Sequence, residues 1–237
     1  MSYIENPKTK DSGIICCIPQ KGECPNKCID CFFQSGRSYL EPLDKNLPNM
    51  PSLEEVGHRV VRVNDGNDSN NGQEQVIEAT KHYPLRFYNT AISYNLQGFN
   101  APVVLTVNPA DTTDKRCTLL HNPPANLMFV RVRTNAWNLK IVDSAVKHYT
   151  EKNVPVILTY MAYYTEAVDT PAHYEWKKRT LNSYWVMTDS CRRSIEEIYA
   201  GNPLVYSCGY KGTHACNRCG NCLREFFATL ERISHKN

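Results

Sequence analysis

Long hydrophobic runs are missing from this chain of 237 residues. No apolar stretch approaches the roughly 20 residues that a helix needs to cross the hydrocarbon core of a bilayer, which excludes a helical membrane span. The opening residues Met1-Ser2-Tyr3-Ile4-Glu5-Asn6-Pro7 contain no apolar signal core, and the expectation is a cytoplasmic chain. A surplus of charge of one sign is missing too. Against 27 Lys and Arg stand 24 Asp and Glu, a formal +3, too little to indicate a nucleic-acid partner without a clustered basic patch. Internal repeats and low-complexity tracts are also absent, so nothing points to a repeat array or a biased, disordered tract.

Present instead is an ordinary soluble composition, 41% hydrophobic and 22% charged, enough to bury a core. The unusual feature is 11 cysteines. In a reducing compartment that number argues for metal ligation rather than cross-linking. Seven of them fall into two groups; Cys16, Cys17, Cys117 and Cys191 are left over and read as small buried apolar residues.

The first group is Cys24-Pro25-Asn26-Lys27-Cys28-Ile29-Asp30-Cys31, with spacing C-x3-C-x2-C, after the apolar run Ile14–Ile18 and the turn Pro19-Gln20-Lys21-Gly22. A loop this tight can wrap three thiolates around three corners of an iron-sulfur cubane, leaving the fourth iron open to a substrate or cofactor. The alternative is structural zinc, which wants four ligands and would need Cys16 or Cys17 to fold back.

This spacing behind a first strand resembles the signature of the radical S-adenosylmethionine (radical SAM) enzymes. The resemblance implies that Cys24, Cys28 and Cys31 bind a 4Fe-4S cluster whose open iron is chelated by S-adenosylmethionine. It implies an electron donor such as flavodoxin or ferredoxin, and reductive cleavage to a 5'-deoxyadenosyl radical that abstracts hydrogen from a substrate. Asp30 stands where the family usually has an aromatic residue near the adenine, and Phe32 follows the third cysteine.

Ser52-Leu53-Glu54-Glu55 has the form of a capping box, which predicts a short helix. Strands are predicted at Ile14–Ile18, Val60–Val63, Leu85–Tyr88, Pro102–Val107, Leu127–Val132 and Val154–Tyr160. Leu139, Val142, Val146 and Tyr149 recur at helical spacing between the last two. Helical spacing also covers Gln73 to His82, whereas Ser93 to Asn100 and Thr118 to Pro124 are short and loop-like. Helical connections imply parallel pairing with right-handed crossovers. Six such units resemble the partial (βα)6 barrel of the radical SAM family. Beyond them, Thr170-Pro171 predicts a helix carrying Trp176, Leu181, Tyr184 and Trp185, and Asp189-Ser190 another that stops at Gly201-Asn202-Pro203.

Chemistry in parallel barrels sits at the C-terminal ends of the strands. After the second strand, where the family usually has Gly-Gly-Glu for the amino group of S-adenosylmethionine, this chain has Asn64-Asp65-Gly66-Asn67-Asp68. Asp65, Asn67 or Asp68 is the candidate for that role, against a plain solvated turn. Asn108 and Asn135 are candidate hydrogen-bonding partners of the ribose or substrate. Strand periodicity sets Arg131 and Arg133 on one face and Val130 and Val132 on the other. Arginines on an inner face need an anion, such as the carboxylate of the cofactor or substrate, which makes Arg133 a candidate; the alternative turns the valines inward.

The second group is Cys208, Cys216, Cys219 and Cys222, spaced C-x7-C-x2-C-x2-C. It resembles ferredoxin ligand loops and implies a second 4Fe-4S cluster, or a closed zinc site in which His214 could replace one thiol. Leu223, Phe226, Phe227, Leu230 and Ile233 follow as a one-faced helix. The expectation is an α/β chain: a radical SAM partial barrel over residues 1–200 and a small C-terminal metal-binding extension over 201–237. Its rivals are a glycyl-radical activating enzyme, a radical enzyme that modifies nucleotides or nucleic acid, and a non-catalytic zinc-binding interaction module.

Overall fold

The computed structural model describes residues 2–29, 31, 48–109, 119–164, 172–178, 183–209 and 216–235. The first strands are β1 (Ile14–Cys17), β2 (Val60–Val63), β3 (Arg86–Thr90), β4 (Val103–Val107), β5 (Leu127–Thr134) and β6 (Val156–Tyr160). All six pair in parallel and in chain order, and β10 (Val205–Ser207) adds to β6 as a seventh. The sheet curls into a half-barrel. Its strands are near-continuous apolar runs because both faces are covered.

Alternation along the strands sorts the side chains between the faces. Ile15, Cys17, Val61, Val63, Leu105, Val130, Val132 and Leu158 face outward. They pack with Val56 of α1 (Leu53–Val56), Val76 of α2 (Gln73–Thr80) and Val142, Val146 and Tyr149 of α3 (Leu139–Thr150). The capping box forms at α1: the Ser52 backbone N–H donates to Glu55 Oε2 at 2.6 Å, and the Glu55 N–H donates to Ser52 Oγ at 3.1 Å.

On the inner face Val60, Phe87, Val104, Phe129 and Ile157 form a second cluster with Phe226. That residue belongs to α6 (Asn221–Ser234), which follows the single turn α5 (Cys216–Cys219). The helix α6 approaches so closely that a Cβ on Gly13 would stand 2.7 Å from Leu223 Cδ1. Farther along the strands the inner face turns polar, with Arg62, Asn89, Thr106, Arg131, Arg133 and Thr159 in the alternate positions.

Several expectations are corrected. The helix predicted after Thr170-Pro171 is instead a pair of strands, β8 (Tyr174–Lys177) and β9 (Tyr184–Met187), which join β7 (Ala162–Tyr163) in an antiparallel sheet. Trp176 and Trp185 sit opposite each other with ring centroids 5.1 Å apart, a cross-strand pair that favours extended chain. Thr170, Pro171 and Leu181 lie outside the described residues. The helix α4 (Asp189–Ile198) forms as predicted. Between β3 and β4 the connection is only a 3-10 turn, Leu96–Gly98.

The helix α6 exists, but it buries Phe226 and Thr229, whereas Phe227 is 48% and Leu230 36% exposed. Its contact stripe follows Cys222, Leu223 and Phe226, which pack in the inner cluster. Cys16 and Cys17 are fully buried and Cys191 half-buried; Cys117 lies outside the described residues.

Phe226 fills the floor of the half-barrel against Phe87, with ring centroids 6.2 Å apart. Phe226→Ala is expected to lower unfolding free energy by about 3–5 kcal/mol, read as a shifted midpoint in urea denaturation. A loss below about 1 kcal/mol would mean that α6 does not close the inner face.

Candidate functional site

The cysteine loop leaves the C-terminal end of β1 and is tied down at both ends. At its start, Gln20 Nε2 donates to the carbonyls of Asp68 and Asn71, each at 2.8 Å. Gly22 takes a φ of 82°, which a residue with a side chain rarely adopts, and turns the chain toward Cys24. Asn26 Nδ2 donates to Asp68 Oδ2 at 2.9 Å, and Asn71 Nδ2 donates to Asn26 Oδ1 at 3.0 Å. Asn71 Nδ2 also lies 3.8 Å from Cys24 Sγ, within donor range of a sulfur.

At the far end, the Ile29 carbonyl accepts from Asn108 Nδ2 at 3.1 Å and from Arg133 Nη1 at 3.0 Å. These side chains come from the ends of β4 and β5, so the loop is drawn across the C-terminal mouth of the sheet. The N–H of Cys31 donates to the Cys28 carbonyl at 3.2 Å, the turn that folds the last two thiols together. Cys24, Cys28 and Cys31 are half-buried. Burial pushes the Cys24 thiol up to about 12, and the neighbouring Asp68, Cys28 and Cys31 add to that rise.

The remaining sequence candidates divide by location. Asp68 is buried and accepts from Thr90 Oγ1 and the Ala91 N–H at 2.7 Å, from the Asn70 N–H at 2.9 Å, and from Asn26. Burial raises its carboxyl above the usual range, and those four hydrogen bonds oppose the rise. Asn67 accepts from the Asp68 N–H at 2.8 Å and reaches the Gly22 carbonyl at 3.5 Å. Asp65 pairs with Arg62 at 2.8 Å and accepts from Asn6. Asn135 stands apart from the loop: its oxygen accepts from the Trp137 and Asn138 N–H groups, and Nδ2 donates to the Tyr163 hydroxyl at 3.0 Å.

Val130 and Val132 face the helices, so Arg131 and Arg133 occupy the inner face. Arg133 Nη1 donates to the Ile29 backbone carbonyl, and its Nε lies 3.0 Å from Met161 Sδ. Sequence reasoning passed over Gln20, Asn26 and Asn71, the polar zipper between the cysteine loop and the β2 loop. The signal available was two amide-rich turns, without any indication that they meet.

The cysteines of the second group are anchored separately, Cys208 beside β6 and Cys216 beside the segment before β1. The Cys208 N–H donates to the Leu158 carbonyl at 2.8 Å, and the Cys216 N–H to the Lys8 carbonyl at 2.9 Å. Gly220, with a φ of 67°, reverses the chain between Cys219 and Cys222. Asn221 Nδ2 ties the turn to the Ser207 carbonyl at 2.9 Å. The neighbouring Cys208 lowers the Cys219 thiol, and Cys219 in turn raises that of Cys208. Cys222 packs against the inner cluster and is raised by burial, against the pull of Arg131 and Arg62. His214 lies outside the described residues.

Among the described residues no three Cys, His, Asp or Glu side chains converge on one point at metal-ligand geometry. The donor chemistry of both groups is nonetheless uniform: thiols beside backbone and amide donors, which suits a thiophilic metal or an iron-sulfur cluster. No family model, curated protein or solved structure matches the chain.

Asp68→Ala strands donors from β3 and the cysteine loop and is expected to cost about 1–3 kcal/mol for the buried groups left unsatisfied. Release of the loop should also speed tryptic cleavage after Lys21 or Lys27 several-fold. Unchanged cleavage kinetics in native protein would show that the loop is held without the Asp68 carboxylate, by Gln20, Asn71, Asn108 and Arg133.

Proposed function

We propose that the chain is a radical SAM enzyme whose half-barrel is a partial (βα)6 barrel of that type, with a C-terminal metal-binding extension. The observation that carries this is the C-x3-C-x2-C loop directly after β1, pulled over the C-terminal ends of a parallel sheet by Asn108 and Arg133. Those ends are where parallel α/β folds place their chemistry. Cys24, Cys28 and Cys31 would hold a 4Fe-4S cluster with one iron left for S-adenosylmethionine. When bound, the pair supplies one-electron cleavage of the sulfonium C–S bond to methionine and a 5'-deoxyadenosyl radical, which takes a hydrogen atom from the substrate.

The chain's own residues hold this loop in place and present polar groups beside it. Asp68 has both oxygens engaged, so it acts as a positioning residue for Asn26 and hence for the loop. The Asn67 side-chain oxygen accepts one N–H and has capacity for a second donor, which fits the amino group of the cofactor. Asn108 and Arg133 hold the loop's far end while flanking the mouth. Cys208, Cys216, Cys219 and Cys222 would bind a second 4Fe-4S cluster or zinc. An electron donor such as flavodoxin or ferredoxin completes the cycle.

Anaerobically reconstituted, reduced protein is expected to convert S-adenosylmethionine to 5'-deoxyadenosine, quantified by mass spectrometry, and to retain about four irons per cubane with matching sulfide. Cys28→Ala should abolish the product. Product formation that persists in Cys28→Ala, or protein that retains zinc and no iron, overturns the proposal, and the second outcome favours the non-catalytic zinc module.

A further inference from the structure

One cation on the inner face of the sheet has no anion. Val130 and Val132 pack outward, so the half-buried Arg131 stands on the inner face between Phe129 and Arg133. A guanidinium carries five N–H donors. Here one of them reaches Asn89 Oδ1 at a long 3.4 Å, and the group lies 5.8 Å over the Phe129 ring. Asn89 is itself fixed, because its Nδ2 donates to the Val63 carbonyl at 3.0 Å. The neighbouring charges are already engaged: Arg62 pairs with Asp65 at 2.8 Å, Arg133 donates to the Ile29 carbonyl at 3.0 Å, and the buried Glu225 of α6 pairs with Arg224 at 3.2 Å. Among the described residues Arg131 makes no ion pair.

The side chains around it are neutral. Tyr88, Leu105 and Leu158 pack outward, which puts Asn89, Thr106 and Thr159 on the inner face with Arg131. Thr106 is the register partner of Arg131 on β4, and Thr159 that of Arg133 on β6. Thr159 Oγ1 is buried and meets no partner among the described residues. A buried hydroxyl left unpaired costs free energy, so it too calls for a ligand. On one side of this patch lies the apolar floor of Phe87, Phe129, Ile157 and Phe226. On the other, two residues or roughly 6.6 Å farther along β5, Arg133 holds the cysteine loop. A single positive charge among neutral donors matches a monoanion, and the guanidinium fork matches a carboxylate. A phosphate dianion would leave charge uncompensated against the apolar floor.

We propose that Arg131 binds a carboxylate of the substrate, with Asn89 orienting the guanidinium and the Thr106 and Thr159 hydroxyls as further donors. The substrate is then a carboxylate-bearing molecule whose apolar part faces the floor. This rests on the radical SAM reading, under which the cofactor's own carboxylate is taken up by the open iron and Arg131 is left to the substrate.

The probe is 4-fluorophenylacetate, a carboxylate on a small apolar ring, titrated anaerobically into the full reconstituted chain and followed by 19F NMR line broadening. Its uncharged amide is the control. The acid is expected to bind about 10-fold tighter than the amide, as a hydrogen bond to a charged group allows; folded Arg131→Gln should lose that preference, and acetate should displace the probe better than inorganic phosphate does. Thr159→Val removes a hydroxyl that has no structural partner, and should weaken the acid several-fold while the urea midpoint does not fall. Equal binding of acid and amide overturns the proposal, as does a preference retained in folded Arg131→Gln. If Arg131→Gln does not fold, Thr159→Val decides, and unchanged affinity there overturns the proposal. Stronger displacement by phosphate overturns the carboxylate class, and displacement by S-adenosylmethionine assigns the site to the cofactor and overturns the substrate role. Conversion of S-adenosylmethionine to 5'-deoxyadenosine is measured on the unaltered protein without the probe, so failure of the catalytic assignment and failure of the carboxylate site are distinguishable.

Discussion

A guanidinium on the inner face of a curled sheet needs an acceptor, and this constraint organises the C-terminal ends of the strands. Arg62, Arg131 and Arg133 alternate with valines that the outer helices require, so none can turn away without exposing a core residue to the wrong side. Each has a different solution. Arg62 pairs with Asp65. Arg133 takes the Ile29 carbonyl and thereby fixes the cysteine loop. Arg131 has a long contact to Asn89 and lies over the Phe129 ring.

The half-barrel is consequently divided along its strands. Toward the N-terminal ends, Phe87, Phe129, Ile157 and Phe226 make a dry floor whose burial is worth roughly 25 cal/mol per Å2 of apolar area. Toward the C-terminal ends, directional bonds replace burial: Asp68 gathers four donors, and Gln20, Asn26 and Asn71 join two loops that have little apolar surface of their own. A polar network of this kind specifies one geometry because any displacement leaves a buried group unsatisfied. That is the physical basis for holding three thiols in a fixed order at the mouth of the sheet.

Strands β1, β2, β4 and β6 were legible because each is a short run rich in β-branched or other apolar residues, and β3 and β5 because aromatic and aliphatic residues mark them between turns, patterns that survive without knowledge of neighbours. The strand β10 was not, since three residues carry no period and exist as a strand only through pairing with β6. The tryptophans at 176 and 185 were misread as helix surface because aromatic spacing alone does not distinguish a helix face from a cross-strand pair. The buried stripe of α6 was misplaced for a similar reason: Phe227 and Leu230 satisfy the helical period, yet it is Phe226 that packs in the inner cluster with Phe87 and Ile157.

Local chemistry determined what the sequence alone could state: the turn that sets the spacing of Cys24, Cys28 and Cys31, the capping box at Ser52, and the alternation that opposes arginines to valines. Those features depend on residues within a few positions of one another. Tertiary structure alone decided which face the arginines occupy, that Asp68 serves the cysteine loop through Asn26, and that Cys222 meets the same inner face as Arg131. Such contacts join residues 42 positions apart in the case of Asn26 and Asp68 and 104 apart in the case of Ile29 and Arg133. Only the curl and register of the sheet bring them within hydrogen-bonding range.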